Sequence, residues 1–181
     1  MSKLFRTRGA RRIVAVIALL FLSSAAYSAS SGQLLSFELT HDMLPTEDNF
    51  SVTVYEDGLA LVHYPTYMTQ AGDYAVELSA SEIQQIRLLL EHPLVQGFNP
   101  KSARAQKQEI DTSSQELFEI SDDSWSNFEL QSPDGPKNIR WANLPIDAER
   151  YPEIGVFRKL ADIQARLMQL DQHPTAQAVV D

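Results

Sequence analysis

The chain has 181 residues, no cysteine and a formal net charge of −9 at neutral pH. The absence of cysteine excludes disulfide bonds, thiol catalysis and thiolate metal ligands. The acidic balance argues against nucleic acid and anionic lipid as partners, because affinity for both depends on neutralising negative charge.

The first 28 residues have the three-part order of a bacterial-type secretory signal. Five basic residues precede ten uninterrupted apolar residues, Ile13–Leu22, and small residues follow them. We expect cleavage after Ser28, or alternatively after Ala26. Cleavage after Ser28 leaves 153 residues with ten basic and 24 acidic side chains, a net charge of −14. The sequence therefore predicts a periplasmic protein with no membrane span after cleavage.

An uncleaved leader is the alternative for localisation. The apolar run alone is shorter than the roughly 20 residues that span a bilayer core. If the small residues up to Ala29 are added, the leader becomes long enough to serve as an inner-membrane anchor.

Three β-rich runs follow the leader. Leu34–Leu39 alternates between apolar and polar residues, as a half-buried strand does. Phe50–Tyr55 and Leu59–Tyr64 flank Asp57-Gly58, a pair that is typical of a tight hairpin turn because both residues tolerate positive φ. The sequence predicts a first strand followed by a hairpin.

A further strand, Tyr74–Leu78, is predicted to lead into a helix. Ser79 and Glu82 have the spacing of a capping box, so we expect a helix from about Ala80 to Glu91 that ends before Pro93. The polar residues 99–114 lack a clear period and are interpreted as a long loop. The three basic residues in this stretch form the main basic cluster after the leader: Lys101, Arg104 and Lys107.

The C-terminal half repeats the order of strands followed by a helix. Strands are predicted at 116–121, 127–131 and 138–141, with a turn at 132–136. A helix is predicted over Pro152–Leu170, where apolar residues recur every three or four positions. The prediction is a single α+β domain over residues 29–172, with one antiparallel sheet built from hairpins and two helices packed on one face. Residues 173–181 are predicted to be a frayed tail.

Part of this pattern resembles a family of uncharacterised exported bacterial domains that carry a Tyr-x-Val-x-Ile-x-x-Asp-Gly hairpin. The similar features are the hairpin Phe50–Gly58, the run Tyr74–Leu78, the capped helix and Phe98, and the similarity extends from about Phe50 to Leu170. The family often has a cysteine pair just before the hairpin, where this chain has none. The resemblance implies an exported α+β fold with a C-terminal helix and implies no functional residue.

The residues that could support catalysis or metal binding are dispersed. His41, His63, His92 and His173 share no metal-ligand spacing, and no nucleophile motif occurs, so we predict no catalytic residue, no metal and no cofactor. Eight acids and no base lie between Lys107 and Lys137. They favour a solvated sheet edge that discourages strand pairing, with a calcium site or a face for a cationic partner as alternatives.

Tyrosines and a methionine cluster around the first hairpin and the loop after it, and this cluster is the predicted binding patch. Its members are Tyr55, Tyr64, Tyr67, Met68 and Tyr74. Aromatic residues with polar tips are enriched at interfaces. The sequence thus favours a non-catalytic binding or accessory module of the cell envelope, with an envelope protein or small ligand as partner. The alternative is a periplasmic hydrolase that assembles dispersed residues such as His41, Asp42 and Asp122.

Overall fold

A computed structural model of the chain describes residues 32–42, 48–114, 122–132 and 135–179. The predicted signal peptide and the predicted strand at 116–121 lie outside these residues. The strands and helices are β1 (Gln33–His41), β2 (Phe50–Tyr55), β3 (Leu59–Tyr64), β4 (Gly72–Glu77), α1 (Ala80–Leu90), α2 (Pro93–Gln96), α3 (Pro100–Ser114), β5 (Ser124–Ser132), β6 (Gly135–Ala142), α4 (Leu144–Arg150), α5 (Gly155–Leu167), a 3₁₀ turn (Leu170–Gln172) and β7 (Gln177–Ala178).

The seven strands form one antiparallel sheet in the order β6-β5-β1-β2-β3-β4-β7. The predicted hairpin between β2 and β3 is confirmed. Gly58 has a φ of 96°, and a Cβ atom at this position would lie 2.6 Å from the Leu78 carbonyl oxygen. Only glycine fits this turn without displacing the backbone of the strand that follows.

Alternation along the strands places one face of the sheet against the helices. Phe37, Val52 and Val62 lie on adjacent strands in register and are almost completely buried. Helix α5 buries its apolar stripe, which includes Phe157 and Leu160, in the same core. The predicted fold class, one antiparallel sheet with both predicted helices on one face, is confirmed.

Helix α1 begins at the predicted capping box. The Ser79 side chain accepts a hydrogen bond from the Glu82 backbone N–H at 3.3 Å, and the Glu82 carboxylate accepts one from the Ser79 N–H at 2.7 Å. These bonds satisfy backbone groups that the first helical turn leaves without partners. The helix ends at Leu90, and Pro93 then begins the short helix α2.

The predicted loop over residues 99–114 is wrong, because most of this stretch is helix α3. Asn99 precedes it, and its side-chain oxygen accepts hydrogen bonds from the N–H groups of Lys101 and Ser102. The helix has few apolar residues to bury. It is held instead by Lys107, whose ammonium group donates to both carboxylate oxygens of the buried Asp147 at 2.9 Å.

The predicted fraying of the C-terminal tail is also wrong for the residues up to Val179. The His173 Nε2–H donates to a carboxylate oxygen of Glu82 at 2.9 Å, and the Thr175 hydroxyl donates to the Glu77 carbonyl at 2.8 Å. Strand β7 then pairs with β4. The tail is ordered because it supplies partners to backbone groups at an otherwise open sheet edge.

Candidate functional site

The sheet has a second face, here called the open face, formed by the residues that alternate with the core residues. Tyr64, Ser126 and Trp141 have side chains that contact the helices or the turn after α5, and all three belong to the core face. On the open face, by contrast, Glu38 and Leu61 are exposed. Within the part of the chain that the structure describes, no helix packs on the open face.

A row of polar side chains crosses the open face, one residue from each of six neighbouring strands. We call this set the polar row, and the strand register places its members side by side in the order Arg140, Asn127, Glu38, Ser51, His63 and Asp73. Cross-strand neighbours of this kind have Cβ atoms about 5 Å apart, so their polar groups can act on one ligand. The polar row is therefore the candidate working surface.

His63 is the best-connected member of the polar row. Its Nδ1 lies 2.7 Å from a carboxylate oxygen of Asp73, and its Nε2 lies 2.6 Å from a carboxylate oxygen of Asp48. Asp48 also accepts hydrogen bonds from the backbone N–H and the hydroxyl of Thr66. Through these bonds His63 connects the segment before β2 to β4, and Asp48 connects it to the start of the loop between β3 and β4.

This geometry favours the imidazolium form of His63, because a neutral imidazole has only one N–H to offer two carboxylates. Hydrogen bonds to Asp48 and then Asp73 raise the pKa of His63 above its ordinary value of 6.5. In turn, hydrogen bonds from the Thr66 backbone and from His63 lower the pKa of Asp48 from 3.8 to about 2. A histidine held in this way is a poor general base, since both ring nitrogens are already engaged.

At one end of the polar row, Arg140 forms a cation–π pair with Trp125. The guanidinium carbon of Arg140 lies 4.3 Å from the centroid of the Trp125 ring, which stacks the cation on the indole face. The indole N–H donates to a carboxylate oxygen of Asp42 at 3.1 Å. Trp125 therefore presents a fixed, partly exposed aromatic surface at this end of the open face.

The five residues of the predicted binding patch are not equivalent. Tyr64 belongs to the core: it is 1% exposed, and its hydroxyl donates to the Met168 carbonyl and to Asp171. Burial and the Asp171 hydrogen bond raise the pKa of Tyr64 well above 10. Tyr64 is therefore unavailable to a partner, and the prediction for this residue has to be revised.

The other four members of the predicted patch lie at or near the surface. Tyr74 packs edge-on against Tyr64, with ring centroids 5.7 Å apart, and Met68 packs against the core. Tyr55 is half-buried at the end of β2. Tyr67 is 49% exposed and follows Thr66, which is bonded to Asp48. Tyr67 is thus the patch residue best placed to contact a partner beside the polar row.

The residues named for the hydrolase alternative meet only in part. His41 lies opposite Ser124 in the β1–β5 register, and the Asp42 backbone N–H donates to the Asp123 carbonyl, so this end of β1 is close to Asp122. His41 has the alternation of the core face, whereas His63 lies on the open face. The two histidines therefore do not share a site. The hydroxyl of Ser124, the residue opposite His41, donates to the side-chain oxygen of Asn143.

Of the acids between Lys107 and Lys137, those that the structure describes do not line up along a sheet edge as predicted. Glu109 and Asp111 belong to helix α3, and Glu129 lies on the open face of β5, an interior strand between β6 and β1. Glu116, Glu119 and Asp134 lie outside the described residues. Over the described part of the chain, no three His, Asp or Glu side chains come together as a metal site would require.

Two grooves between the described helices contain no polar network like that of the open face. One, of about 510 Å³, lies between α4 and α5 and is floored by alanines and Met168. The other, of about 420 Å³, lies between α2, the start of α3 and residues 153–156. Charges of both signs border the first groove, whereas the second has one charged lining residue, Glu153.

Of the helices that the structure describes, none combines the length and apolar character needed to cross a membrane. Comparison with protein-family models, with curated proteins and with solved structures finds no match for this chain. The resemblance of the hairpin and capped helix to exported bacterial domains stays a prediction.

Proposed function

We propose that this chain is an exported protein of the cell envelope that works by binding, through the open face of its sheet. The observation that carries the proposal is the polar row, in which six strands present adjacent polar side chains on a face that the described helices leave uncovered. A sheet face that had only to be soluble would not need these side chains linked to one another.

The links within and around the polar row support a binding role. The Asn49 amide donates to the Glu38 carboxylate at 3.1 Å, and His63 is fixed between two aspartates. Such bonds fix the orientation of polar groups before a partner arrives, which reduces the ordering entropy lost on binding. Trp125 and Tyr67 add aromatic contact area at the border of the row.

Export rests on the order of basic, apolar and small residues in the leader, and it has its own test. The native protein is fractionated from cells, and its intact mass and N-terminal sequence are determined. We expect a mature protein that begins at Ala29 in the periplasmic fraction. Recovery of the full-length chain in the membrane pellet would support the uncleaved anchor instead.

Binding through the open face is tested by site-specific photo-crosslinking in cells. A photoreactive residue is placed at Thr53, on the open face, and in a matched variant at Leu88, which is 59% exposed on helix α1. We expect a discrete crosslinked product only from the Thr53 position. Products from Leu88 alone, or from neither position in several growth conditions, would contradict the proposal.

Tyr67 offers a second, independent variant. Tyr67→Ala removes an exposed side chain and should weaken partner binding without changing the melting temperature. Tyr64→Ala should instead destabilise the fold, because this tyrosine is a core residue. A His41→Ala variant is expected to bind as the wild type does, and a measurable hydrolytic activity lost in that variant would favour the hydrolase alternative.

A further inference from the structure

We propose that the partner of the open face is basic, a lysine- or arginine-rich segment of a protein that lies across the polar row. This inference rests on the proposed function and specifies its partner. It is carried by the distribution of charge between the two sides of the molecule, together with the state of the cations already present on the open face.

The helical side of the molecule is nearly neutral. Residues 79–114 and 143–172 contain the helices and the turns between them, and they carry eight basic and nine acidic side chains. Several of these charges pair with one another, as Lys107 does with Asp147. A surface of mixed charge of this kind gives little long-range attraction for a charged partner.

Among the described residues, the strands and their connections carry nearly all of the net negative charge. Over residues 32–42, 48–78, 122–132 and 135–142 there are ten acidic side chains and two basic ones, Lys137 and Arg140. Lys137 donates to the Gln96 carbonyl in α2, so it faces the helical side. Arg140 is thus the single Lys or Arg of these ranges that belongs to the open face.

The acids of the open face are spread along several strands rather than gathered at one point. Glu38, Asp73, Glu77 and Glu129 are all exposed and all have the alternation of the open face. The cations among them already have partners, since Arg140 is stacked on Trp125 and His63 lies between two carboxylates. The open face therefore keeps a net negative charge that is spread over several strands. An extended basic segment would complement this distribution of charge.

The shape of the face and its other side chains fit the same partner. Leu61 is 41% exposed in the middle of the sheet, next to Thr53 and Ala75 on the neighbouring strands. The aliphatic stems of lysine and arginine can lie on such a surface while their charged ends reach the surrounding carboxylates. A second copy of this chain fits less well, because two open faces would bring like charges together.

The test uses the mature protein and two fluorescein-labelled ten-residue peptides, one alternating Lys and Thr and the other alternating Glu and Thr. Binding is measured by fluorescence anisotropy at several salt concentrations. We expect the Lys peptide to bind more tightly than the Glu peptide, with affinity that falls as salt rises. Equal affinity for the two peptides would overturn the inference.

Matched double variants locate the binding surface. Glu38→Gln with Glu129→Gln removes two charges from the open face, and Glu149→Gln with Glu153→Gln removes two exposed charges from the helical side. The first pair should lower the affinity for the Lys peptide roughly fivefold, which is the range expected for the loss of two exposed charge interactions. The second pair should leave the affinity unchanged. Equal weakening by both pairs would mean attraction by net charge alone and would overturn the inference.

The two tryptophans provide a direct readout of position. Trp125 borders the polar row, whereas Trp141 is buried on the core face. In NMR spectra the indole N–H signal of Trp125 should shift on addition of the Lys peptide, and that of Trp141 should stay in place. The single variant Glu129→Gln, which leaves the Asn49–Glu38 bond intact, is measured in the same peptide-binding assay as a control for the fold. A Lys peptide that shifts neither signal would contradict the location.

The failure of this inference can be told apart from the failure of the proposed function. If photo-crosslinking at Thr53 captures a partner whose crosslinked segment is not basic, binding through the open face stands and the basic partner is wrong. If Thr53 yields no product while the Lys peptide still binds the open face, the peptide result reflects charge without a cellular partner, and the proposed function is wrong.

Discussion

The two faces of the sheet differ by a single residue step along each strand. Phe37, Val52 and Val62 are buried side by side on the core face. Their immediate chain neighbours Glu38, Ser51 and His63 lie on the opposite, open face. The first set is held by exclusion of water, and the second by hydrogen bonds and charge. The same strands thus provide both stability and a surface for recognition.

Ion pairs on the two sides of the sheet differ in their exposure to water. On the helical side of the sheet, the Asp147 carboxylate of the Lys107–Asp147 pair is buried, with its side chain only 3% exposed and that of Lys107 30% exposed. On the open face, the Asp73 side chain of the His63–Asp73 pair is 59% exposed. A buried pair is costly to break, because it leaves an unpaired charge, whereas an exposed pair is screened by solvent. The core face therefore fixes the fold, and the open face remains free to change.

The largest expected effect is a cavity on the core face. Leu160→Ala truncates a fully buried side chain in helix α5, and we expect a loss of about 4 kcal/mol in unfolding free energy. Urea denaturation followed by circular dichroism measures this value. A loss below about 0.5 kcal/mol, the range of surface positions, would mean that α5 does not pack on the sheet as described.

The buried pair should come next. Lys107→Met leaves the Asp147 carboxylate with the Trp141 indole N–H, which donates at 2.7 Å, but without its cation. We expect a loss of about 3 kcal/mol, in the range for breaking a buried ion pair from one side. Lys101→Met, at an exposed position of the same helix, is the matched control. Both variants are measured by urea denaturation. Equal unfolding free energies for Lys107→Met and Lys101→Met would mean that this pair does not hold α3.

The hydrogen bonds of His63 to Asp48 and Asp73 predict a smaller, pH-dependent contribution to stability. The folded pKa of His63 is raised, so its stabilisation is fully present below the unfolded value of 6.5 and is lost as pH rises through the folded pKa. Thermal melts from pH 6 to 9 should therefore show a decline for the wild type that His63→Gln lacks. His41→Gln is the control and should retain the decline. If the melting temperatures of the wild type and His63→Gln change in parallel with pH, these hydrogen bonds do not stabilise the fold.

The smallest effect is expected at the centre of the open face. Leu61→Ala removes an apolar side chain that is 41% exposed, and we expect a change within about 0.5 kcal/mol in the same urea experiment. The contrast with Leu160→Ala is the sharpest test of the comparison. A loss of 2 kcal/mol or more at Leu61 would show that this face is covered in solution.

The success of the sequence predictions depended on the kind of contact that holds each element. Helix α5 was predictable because its apolar residues recur with the helical period, a signal that survives in the sequence alone. Helix α3 was missed because it docks through Lys107 on Asp147 and Arg104 over the Trp141 ring. The residues that α3 contacts come from distant parts of the chain, so no local periodicity in the sequence indicates these contacts.

The candidate site shows the same division. The alternation that assigns His63 to one face could be read from β3 itself. Its bonds to Asp48 and Asp73 could not, because they depend on which strands are neighbours and on the register between them. Similarly, the tyrosine cluster was visible in the sequence, but the burial of Tyr64 beneath Met168 and Asp171 joins residues about a hundred positions apart.

Turn chemistry, capping and periodicity are local properties. They were sufficient to identify the leader pattern and to predict the hairpin at Asp57-Gly58, the capped helix α1 and the apolar stripe of α5. Contacts between distant parts of the chain established the strand order, the docking of α3, the ordered tail and the separation of acidic and neutral sides, and no local pattern carries them. Once the register between two strands is set, it determines which polar groups meet.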